Sequence, residues 1–148
     1  GKNTFKSVDR IHLTEFRLQR FCCYLPFYLE KIRKKRNHKT DRKKMAIDPN
    51  GRHAVTHYRV IERLKQNFSL VECELETGRT HQIRVHMASI NHPLLGDEVY
   101  GPKQKPFSTQ GQVLHAGVLG FEHPITGEYM EWHADLPDYF QEILKRLR

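Results

Sequence analysis

Cysteine is scarce in this 148-residue chain, which has only Cys22, Cys23 and Cys73. An odd count that includes two adjacent cysteines fits neither a disulfide framework nor a zinc finger, so we expect a reduced, cytoplasmic protein. Apolar runs approaching the ~20 residues of a membrane span are absent. The first ten residues also lack the pattern of a signal peptide. These absences argue against secreted scaffolds, zinc fingers and membrane proteins.

Several motifs of catalytic and nucleotide-binding sites are also missing. The chain contains no Walker, Rossmann or G-x-S-x-G pattern. His81 and His86 are separated by about 140° around a helix, which places them poorly for sharing a metal ion. We therefore predict no metal site.

Positive charge is concentrated in the first half of the chain. Residues 1–65 hold 18 Lys and Arg against 6 Asp and Glu, whereas residues 66–148 hold 7 against 11. Lys31–Lys44 alone contains nine cations in fourteen residues. This run favours a polyanionic partner, and RNA rather than DNA because no recognition-helix pattern is visible. The alternative is a solvated basic loop without a partner.

The apolar patterns predict an α+β fold. Four segments have the alternation or composition of strands: 54–61, 68–75, 113–121 and 129–132. Apolar residues at helical spacing predict helices at Thr80–Ile90 and Asp138–Leu147, the first capped by Thr77 or Thr80. We expect a mixed, largely antiparallel sheet with flanking helices.

The segment Thr77-Gly-Arg-Thr-His-Gln-Ile-Arg-Val-His86 carries the strongest functional signal. The start of a helix favours an anion, and Arg79 and Arg84 add positive charge there. Arg84 adjoins the apolar side of the predicted helix. We therefore expect its aliphatic stem to be covered and its guanidinium to pair with a carboxylate or phosphate.

This segment, followed by His92-Pro-Leu-Leu-Gly-Asp97 and Tyr100-Gly101, closely resembles the RluA family of RNA pseudouridine synthases. The resemblance covers roughly residues 41–148 and includes Arg42-Lys-Lys-Met45 and Leu114-His-Ala116. It implies a mixed α/β domain around an antiparallel sheet. It also implies isomerisation of uridine to pseudouridine in ribosomal or transfer RNA, without a cofactor.

The resemblance implies roles for individual residues. Arg84 is similar to the arginine that pairs with the nucleophilic aspartate, and Ile83 to the aliphatic residue that packs beside the flipped base. The implied and predicted RNA-contact residues are Arg79, His81 and Gln82, together with Lys34, Lys35, Arg36, Arg42, Lys43 and Lys44 of the basic run.

One motif of the family is missing. Its nucleophile lies in a pattern like His-Arg-Leu-Asp-Arg-x-x-Ser-Gly, whereas Asp9 in Ser7-Val-Asp-Arg10 shares only the Asp-Arg pair. We therefore leave residues 1–40 unassigned and interpret residues 41–148 as the C-terminal part of a catalytic domain. Such a part lacks central strands, so a homodimer or the missing N-terminal half would cover its exposed edges.

Two hypotheses about function remain. The chain belongs to a pseudouridine synthase and lacks the nucleophile that would make it active alone, or it is a non-catalytic RNA-binding module derived from the same family. Both predict salt-dependent binding of RNA through the basic run.

Changing Lys34, Lys35 and Arg36 together to alanine should weaken RNA binding and reduce its salt dependence. Each lost phosphate contact lowers the slope of log K against log salt concentration by about 0.7 to 0.9. Fluorescence anisotropy across a salt series measures the slope. Changing Lys103, Lys105 and Lys145 to alanine removes equal charge from the less basic half and serves as the control. An unchanged slope in the first variant would identify the basic run as a solvated loop.

Overall fold

The structure, a computed structural model, describes residues 8–14, 32–34, 44–104 and 108–148, the first two ranges by their backbone. Its elements are β1 Val8–Thr14, β2 Ile32–Lys34, β3 Met45–Ile47, β4 Thr56–Arg63, β5 Ser69–Leu75, α1 Gln82–Ser89, β6 Leu114–Glu122, β7 Tyr129–His133 and α2 Asp138–Leu147. A short 3-10 turn, Lys65–Asn67, joins β4 to β5. None of the helices in these ranges is long and apolar enough to cross a bilayer.

Five strands form one sheet in the order β4-β5-β1-β6-β7, and β2 and β3 form a separate two-stranded ribbon. Every strand pair in the described sheets is antiparallel. Each of the four predicted strands is present, with bounds shifted by one or two residues. The predicted α+β class, with a largely antiparallel sheet and flanking helices, is confirmed.

The centre of the sheet is occupied by β1, which comes from the part of the chain left unassigned above. β1 pairs with β5 on one side and β6 on the other, so Asp9 lies opposite both Leu75 and Leu119. The expectation that central strands are missing is therefore wrong for this sheet, whose edges are β4 and β7. The apolar patch within residues 16–29 lies outside the described residues.

Helices α1 and α2 pack against opposite faces of the sheet. On β5, Val71 and Cys73 belong to a buried cluster that includes Ile83 and Met87 of α1. Leu70, on the other face of the same strand, belongs to a second cluster formed with four buried residues of α2, which are Phe140, Ile143, Leu144 and Leu147. The alternation of side chains along β5 thus divides the core into an α1 side and an α2 side.

Helix α2 has the predicted bounds. Its buried residues recur at the spacing of one helical face, and Asp138 supplies a negative charge in the first turn, where the helix dipole favours it. Pro137 precedes the helix as its N-cap, a position at which extended backbone suits proline. A strong amphipathic pattern and clear end signals explain why sequence alone located this element.

Replacing Phe140 by alanine should lower the free energy of unfolding by about 3–5 kcal/mol, because Phe140 is fully buried in the α2 cluster. Tyr139→Ala is a matched control on the adjacent residue. Tyr139 is 46% exposed, so we expect a loss of about 0.5 kcal/mol. Urea denaturation followed by circular dichroism measures both. Equal losses in the two variants would contradict the packing of α2 described here.

Candidate functional site

The connection between β5 and α1 is organised around the side chain of Gln82. Its amide oxygen accepts hydrogen bonds from the Thr77 hydroxyl (2.7 Å) and the Arg79 N–H (3.0 Å). Its amide nitrogen donates to the Val55 carbonyl (2.8 Å) and the Thr56 hydroxyl (3.0 Å). Gln82 is buried, and these four bonds use the full capacity of its amide. An RNA contact from Gln82 would require one of them to break.

Helix α1 begins two residues later than predicted and without a threonine cap. The N-cap residue, His81, has a φ of 56°, in the left-handed region, and no side-chain hydrogen bond caps the helix. The Thr77 hydroxyl instead accepts the N–H of Val55 (3.0 Å) and donates to Gln82. The predicted caps are therefore wrong, because the Thr77 hydroxyl joins the strand to the helix.

The Arg84 guanidinium forms a bidentate ion pair with Asp97. Nε donates to one carboxylate oxygen at 2.7 Å, and Nη2 donates to the other at 2.8 Å. The two side chains are 11% and 0% exposed. The expectation that Arg84 is covered and paired with an anion is confirmed, and Asp97 is the carboxylate that pairs with it in this structure.

The loop after α1 holds the Asp97 carboxylate in place. Oδ1 accepts the backbone N–H groups of Val99 (2.9 Å) and Tyr100 (3.0 Å) as well as Arg84. Burial alone would raise the pKa of Asp97. The hydrogen bonds from Arg84, Tyr100 and Val99 outweigh burial and hold this pKa below its usual value. Asp97 is therefore ionised at neutral pH and balances the charge of Arg84.

Tyr100 links this ion pair to two other parts of the chain. Its ring lies 5.1 Å from the Arg84 guanidinium carbon, within the range of a cation–π contact. Its hydroxyl accepts the N–H of Met45 (2.8 Å) and lies 3.0 Å from Nδ1 of His81. Burial and the nearby Arg84 charge lower the pKa of His81, although Asp97 partly opposes them. His81 is thus held neutral beside the ion pair.

The other predicted site residues lie at different depths. Ile83 is 5% exposed and packs in the α1 cluster against Val71, Cys73, Met87 and Leu94. Arg79 is exposed, and its Nε donates to the His53 carbonyl at 3.1 Å. Arg79 therefore presents most of its guanidinium to solvent, whereas Ile83 contributes mainly to the core.

The basic run approaches the site through the β2–β3 ribbon. Lys34 pairs in register with Met45, the residue whose N–H binds Tyr100. Lys44 immediately precedes Met45 and is partly buried. The predicted RNA-contact residues Lys35, Arg36, Arg42 and Lys43 lie outside the described residues. The backbone of the ribbon nevertheless places Lys34 and Lys44 of the basic run next to Met45, which binds Tyr100.

His86, within α1, is buried in the core. It is fully buried, with Nδ1 2.9 Å from the Thr56 hydroxyl. Nε2 has no hydrogen-bond partner among the described residues. Burial lowers the pKa of His86 to about 4. The imidazole is therefore neutral at physiological pH.

The comparison with known families matches residues 9–89 to RNA pseudouridylate synthases. The chain belongs to this family. The match begins at Asp9 and so extends into the segment in which the motifs alone showed no resemblance. Asp9 pairs with Leu75, the last residue of β5, at the end of the sheet where the chain continues toward α1.

Individual RNA pseudouridine synthases are also similar to the chain. It is 57% identical over 110 residues to the uncharacterized RNA pseudouridine synthase YlyB of Bacillus subtilis, an alignment covering 74% of this chain and 36% of that protein. It is 50% identical over 123 residues to the ribosomal large subunit pseudouridine synthase D of Pasteurella multocida, with 75% and 38% covered. The chain thus spans little more than a third of the length of these relatives.

A solved structure supports the fold of the pseudouridylate synthase family. The human RNA pseudouridylate synthase domain containing 1 superposes with a TM-score of 0.69 and 25% identity, covering 89% of this chain and 56% of the human one. A second human protein, RNA pseudouridylate synthase domain containing 4, superposes with a TM-score of 0.64 at 22% identity, a similarity that bears on the fold alone.

Sequence reasoning assigned no role to Asp97, although it quoted the segment that contains this residue. Asp97 lies thirteen positions after Arg84 in the sequence, and the rest of α1 and a turn lie between them. The available signal was the pair of adjacent acidic residues Asp97 and Glu98 in the loop after α1, combined with a nearby arginine that required an anion. Tyr100 anchors the loop through the hydrogen bonds described above.

The buried histidines should make stability fall as the pH drops. The pKa of His86 is about 4 in the folded chain and about 6.5 when unfolded, so the unfolded chain binds more protons between these values. Stability from this group is present above pH ~6.5 and is lost toward pH 4, by up to about 3 kcal/mol. His81 and His92 have pKa values lowered by burial and act in the same direction.

Urea denaturation at a series of pH values tests this expectation. His86→Gln should reduce the pH dependence between pH 4 and 6.5 because it removes the titrating group. His53→Gln, at an exposed position, is the matched control for the histidine-to-glutamine change. A pH dependence that His86→Gln leaves intact would show that His86 does not cause it.

Proposed function

We propose that the protein containing this chain converts uridine to pseudouridine in RNA. In this reaction the bond between the sugar and N1 of uracil breaks, and a bond between the sugar and C5 forms. C5 loses its hydrogen to solvent and N1 gains one, so no redox cofactor is required. The observation that carries the proposal is the paired, nearly buried Arg84 within a family match covering residues 9–89.

Arg84 is the residue we propose for the chemistry. A fixed guanidinium keeps a nearby carboxylate ionised and oriented, which is what a carboxylate nucleophile requires. Ile83, the preceding residue, would pack beside the flipped base if its exposed fraction faces the substrate. Removing a base from its stack costs a few kcal/mol, and contacts of this kind compensate for that cost.

RNA contact is proposed for the basic run and for Arg79. Lys34 and Lys44 flank Met45 in the ribbon beside Tyr100, and the exposed Arg79 lies at the start of α1. Cations arranged around a site suit the phosphates of a structured RNA. His81 adjoins this surface through Tyr100. The relative named ribosomal large subunit pseudouridine synthase favours ribosomal over transfer RNA as the substrate.

Some features of the proposal concern the whole protein. We propose that residues 41–148 form the C-terminal part of the catalytic domain and that the protein acts in the cytoplasm. A homodimer remains a hypothesis for how edge strands β4 and β7 are covered.

A non-catalytic RNA-binding module is the second candidate. The observation that favours it is the absence of the His-Arg-Leu-Asp motif, together with an Arg84 whose pairing is already met by Asp97. Both candidates retain the basic run. They differ in whether uridine is converted.

Release of tritium from RNA labelled at C5 of uridine separates the two. Release by the 148-residue chain would place the nucleophile within it, and Asp9→Asn should then abolish release. Bound RNA without release would mean that this chain is either a portion of the enzyme without its nucleophile or the non-catalytic module, and tritium release by the whole protein then decides between them. In a form of the protein that releases tritium, Arg84→Ala should abolish turnover and leave the RNA dissociation constant within about threefold.

Two further variants serve as controls for this prediction. Arg84→Lys keeps the charge beside Asp97 and avoids leaving a buried carboxylate unpaired, which costs about 3–5 kcal/mol. Arg148→Ala removes an arginine that also makes a bidentate pair, with Glu62, but on the surface. Loss of RNA binding with turnover per bound RNA unchanged would remove Arg84 from the catalytic role.

A further inference from the structure

The hydrogen bonds from Arg84 to Asp97 use only one edge of its guanidinium. A guanidinium carries five N–H donors in one plane. Asp97 takes the Nε donor and one Nη2 donor. No hydrogen bond from Nη1 is present among the described residues, so within that part of the chain three of the five donors are unused. The 11% of the Arg84 side chain that is exposed leaves room for a further partner.

Asp97 is held more firmly than an ordinary surface carboxylate. Its side chain is fully buried, and Oδ1 accepts two backbone N–H groups of its own loop. The Asp97 carbonyl accepts the N–H of Gly101 at 2.9 Å. A Cβ on Gly101 would lie 2.4 Å from that carbonyl oxygen, so this close turn requires glycine. The backbone of the loop therefore holds the Asp97 carboxylate in addition to the bonds from Arg84.

Tyr100 restricts the remaining freedom of the guanidinium. Its ring lies near the Arg84 guanidinium carbon, while its hydroxyl is tied to β3 and to the start of α1 through Met45 and His81. A carboxylate on one edge and a ring against the group leave it little rotation about its own stem.

We propose that Asp97 is a positioning residue that holds Arg84 by its Nε–Nη2 edge and presents the Nη1 side to a second oxyanion. This inference rests on the proposed function, in which that oxyanion belongs to the reaction. Its source is the nucleophilic carboxylate or a phosphate of the bound RNA, and the two share the same planar pairing with a guanidinium.

A purely structural ion pair would have different features. A buried ion pair adds little to the stability of a fold, because the cost of desolvating the two charges offsets much of their attraction. The pair between Arg148 and Glu62 shows the structural alternative, since it lies on the surface with side chains 53% and 37% exposed. Arg84 instead combines near-complete burial with three donors that no described residue accepts, as expected of a group held for a partner.

Nuclear magnetic resonance of the 148-residue chain tests the positioning without requiring turnover. The Arg84 Nε–H should give a distinct, slowly exchanging signal that Asp97→Asn moves or broadens. Glu62→Gln makes the same chemical change in the surface pair and should leave the Arg84 signal unaltered. An Arg84 Nε–H signal that stays unchanged in Asp97→Asn would overturn the proposal.

Addition of a uridine-containing RNA oligonucleotide distinguishes the two sources of the oxyanion. Arg84 Nη signals that sharpen only when RNA is added would identify a phosphate. Signals that are already sharp without RNA would identify a carboxylate of this chain. Nη signals that behave alike in the wild-type chain and in Asp97→Asn would contradict a positioning role.

A second test measures turnover in a form of the protein that releases tritium. Asp97→Asn should lower kcat by about 10- to 100-fold, because a small displacement of a catalytic group has effects of this size. The RNA dissociation constant should change less than about threefold, since Asp97 itself does not contact RNA. Combining Asp97→Asn with Arg84→Lys should add no loss beyond that of Arg84→Lys alone.

A loss of kcat in the double variant equal to the product of the two single losses would show that Asp97 acts independently of Arg84. That result would overturn the proposal. If no form of the protein releases tritium, the proposed function fails, and the nuclear magnetic resonance result alone decides whether Asp97 positions Arg84. Melting temperatures of all variants identify those that have simply lost their fold.

Discussion

A guanidinium that is nearly removed from water needs an anion, and this requirement ties together the parts of the molecule around α1. Arg84 comes from the helix, Asp97 from the loop that follows it, and Tyr100 connects both to β3. Because charge-assisted, bidentate hydrogen bonds are strong and geometrically specific, the positions of these segments depend on one another. The loop after α1 is therefore part of the site as well as a connection between α1 and β6.

The polar groups on the α1 side are of two kinds. Gln82 joins α1 to the beginning of β4 through a fully used amide, and His86 lies against Thr56 of β4. These groups are neutral, whereas Arg84 and Asp97 form an ion pair. Buried neutral groups cost little once hydrogen-bonded, whereas a buried charge requires its counter-charge close by. This difference explains why the histidines titrate low while the ion pair stays charged.

The division of charge along the sequence corresponds to a division of tasks in the structure. The basic first half contributes the β2–β3 ribbon beside Tyr100, while the second half, with its acidic excess, contributes β6, β7 and the helix α2 that closes the other face. Cations on the ribbon beside Tyr100 suit contact with a polyanion. Membership of the RNA pseudouridylate synthase family agrees with this arrangement.

By itself, the sequence determined the elements whose signals are local: the α2 helix with its bounds, the strands β4, β5, β6 and β7 within one or two residues, and the need of Arg84 for an anion. Tertiary packing, in contrast, sets Asp97 as the anion that pairs with Arg84 and places β1 at the centre of the sheet. It also directs the Thr77 hydroxyl to the Gln82 amide instead of to the N-terminus of the helix. Local periodicity and capping patterns extend over one or two turns, whereas pairing partners separated along the chain are selected by packing of the whole domain.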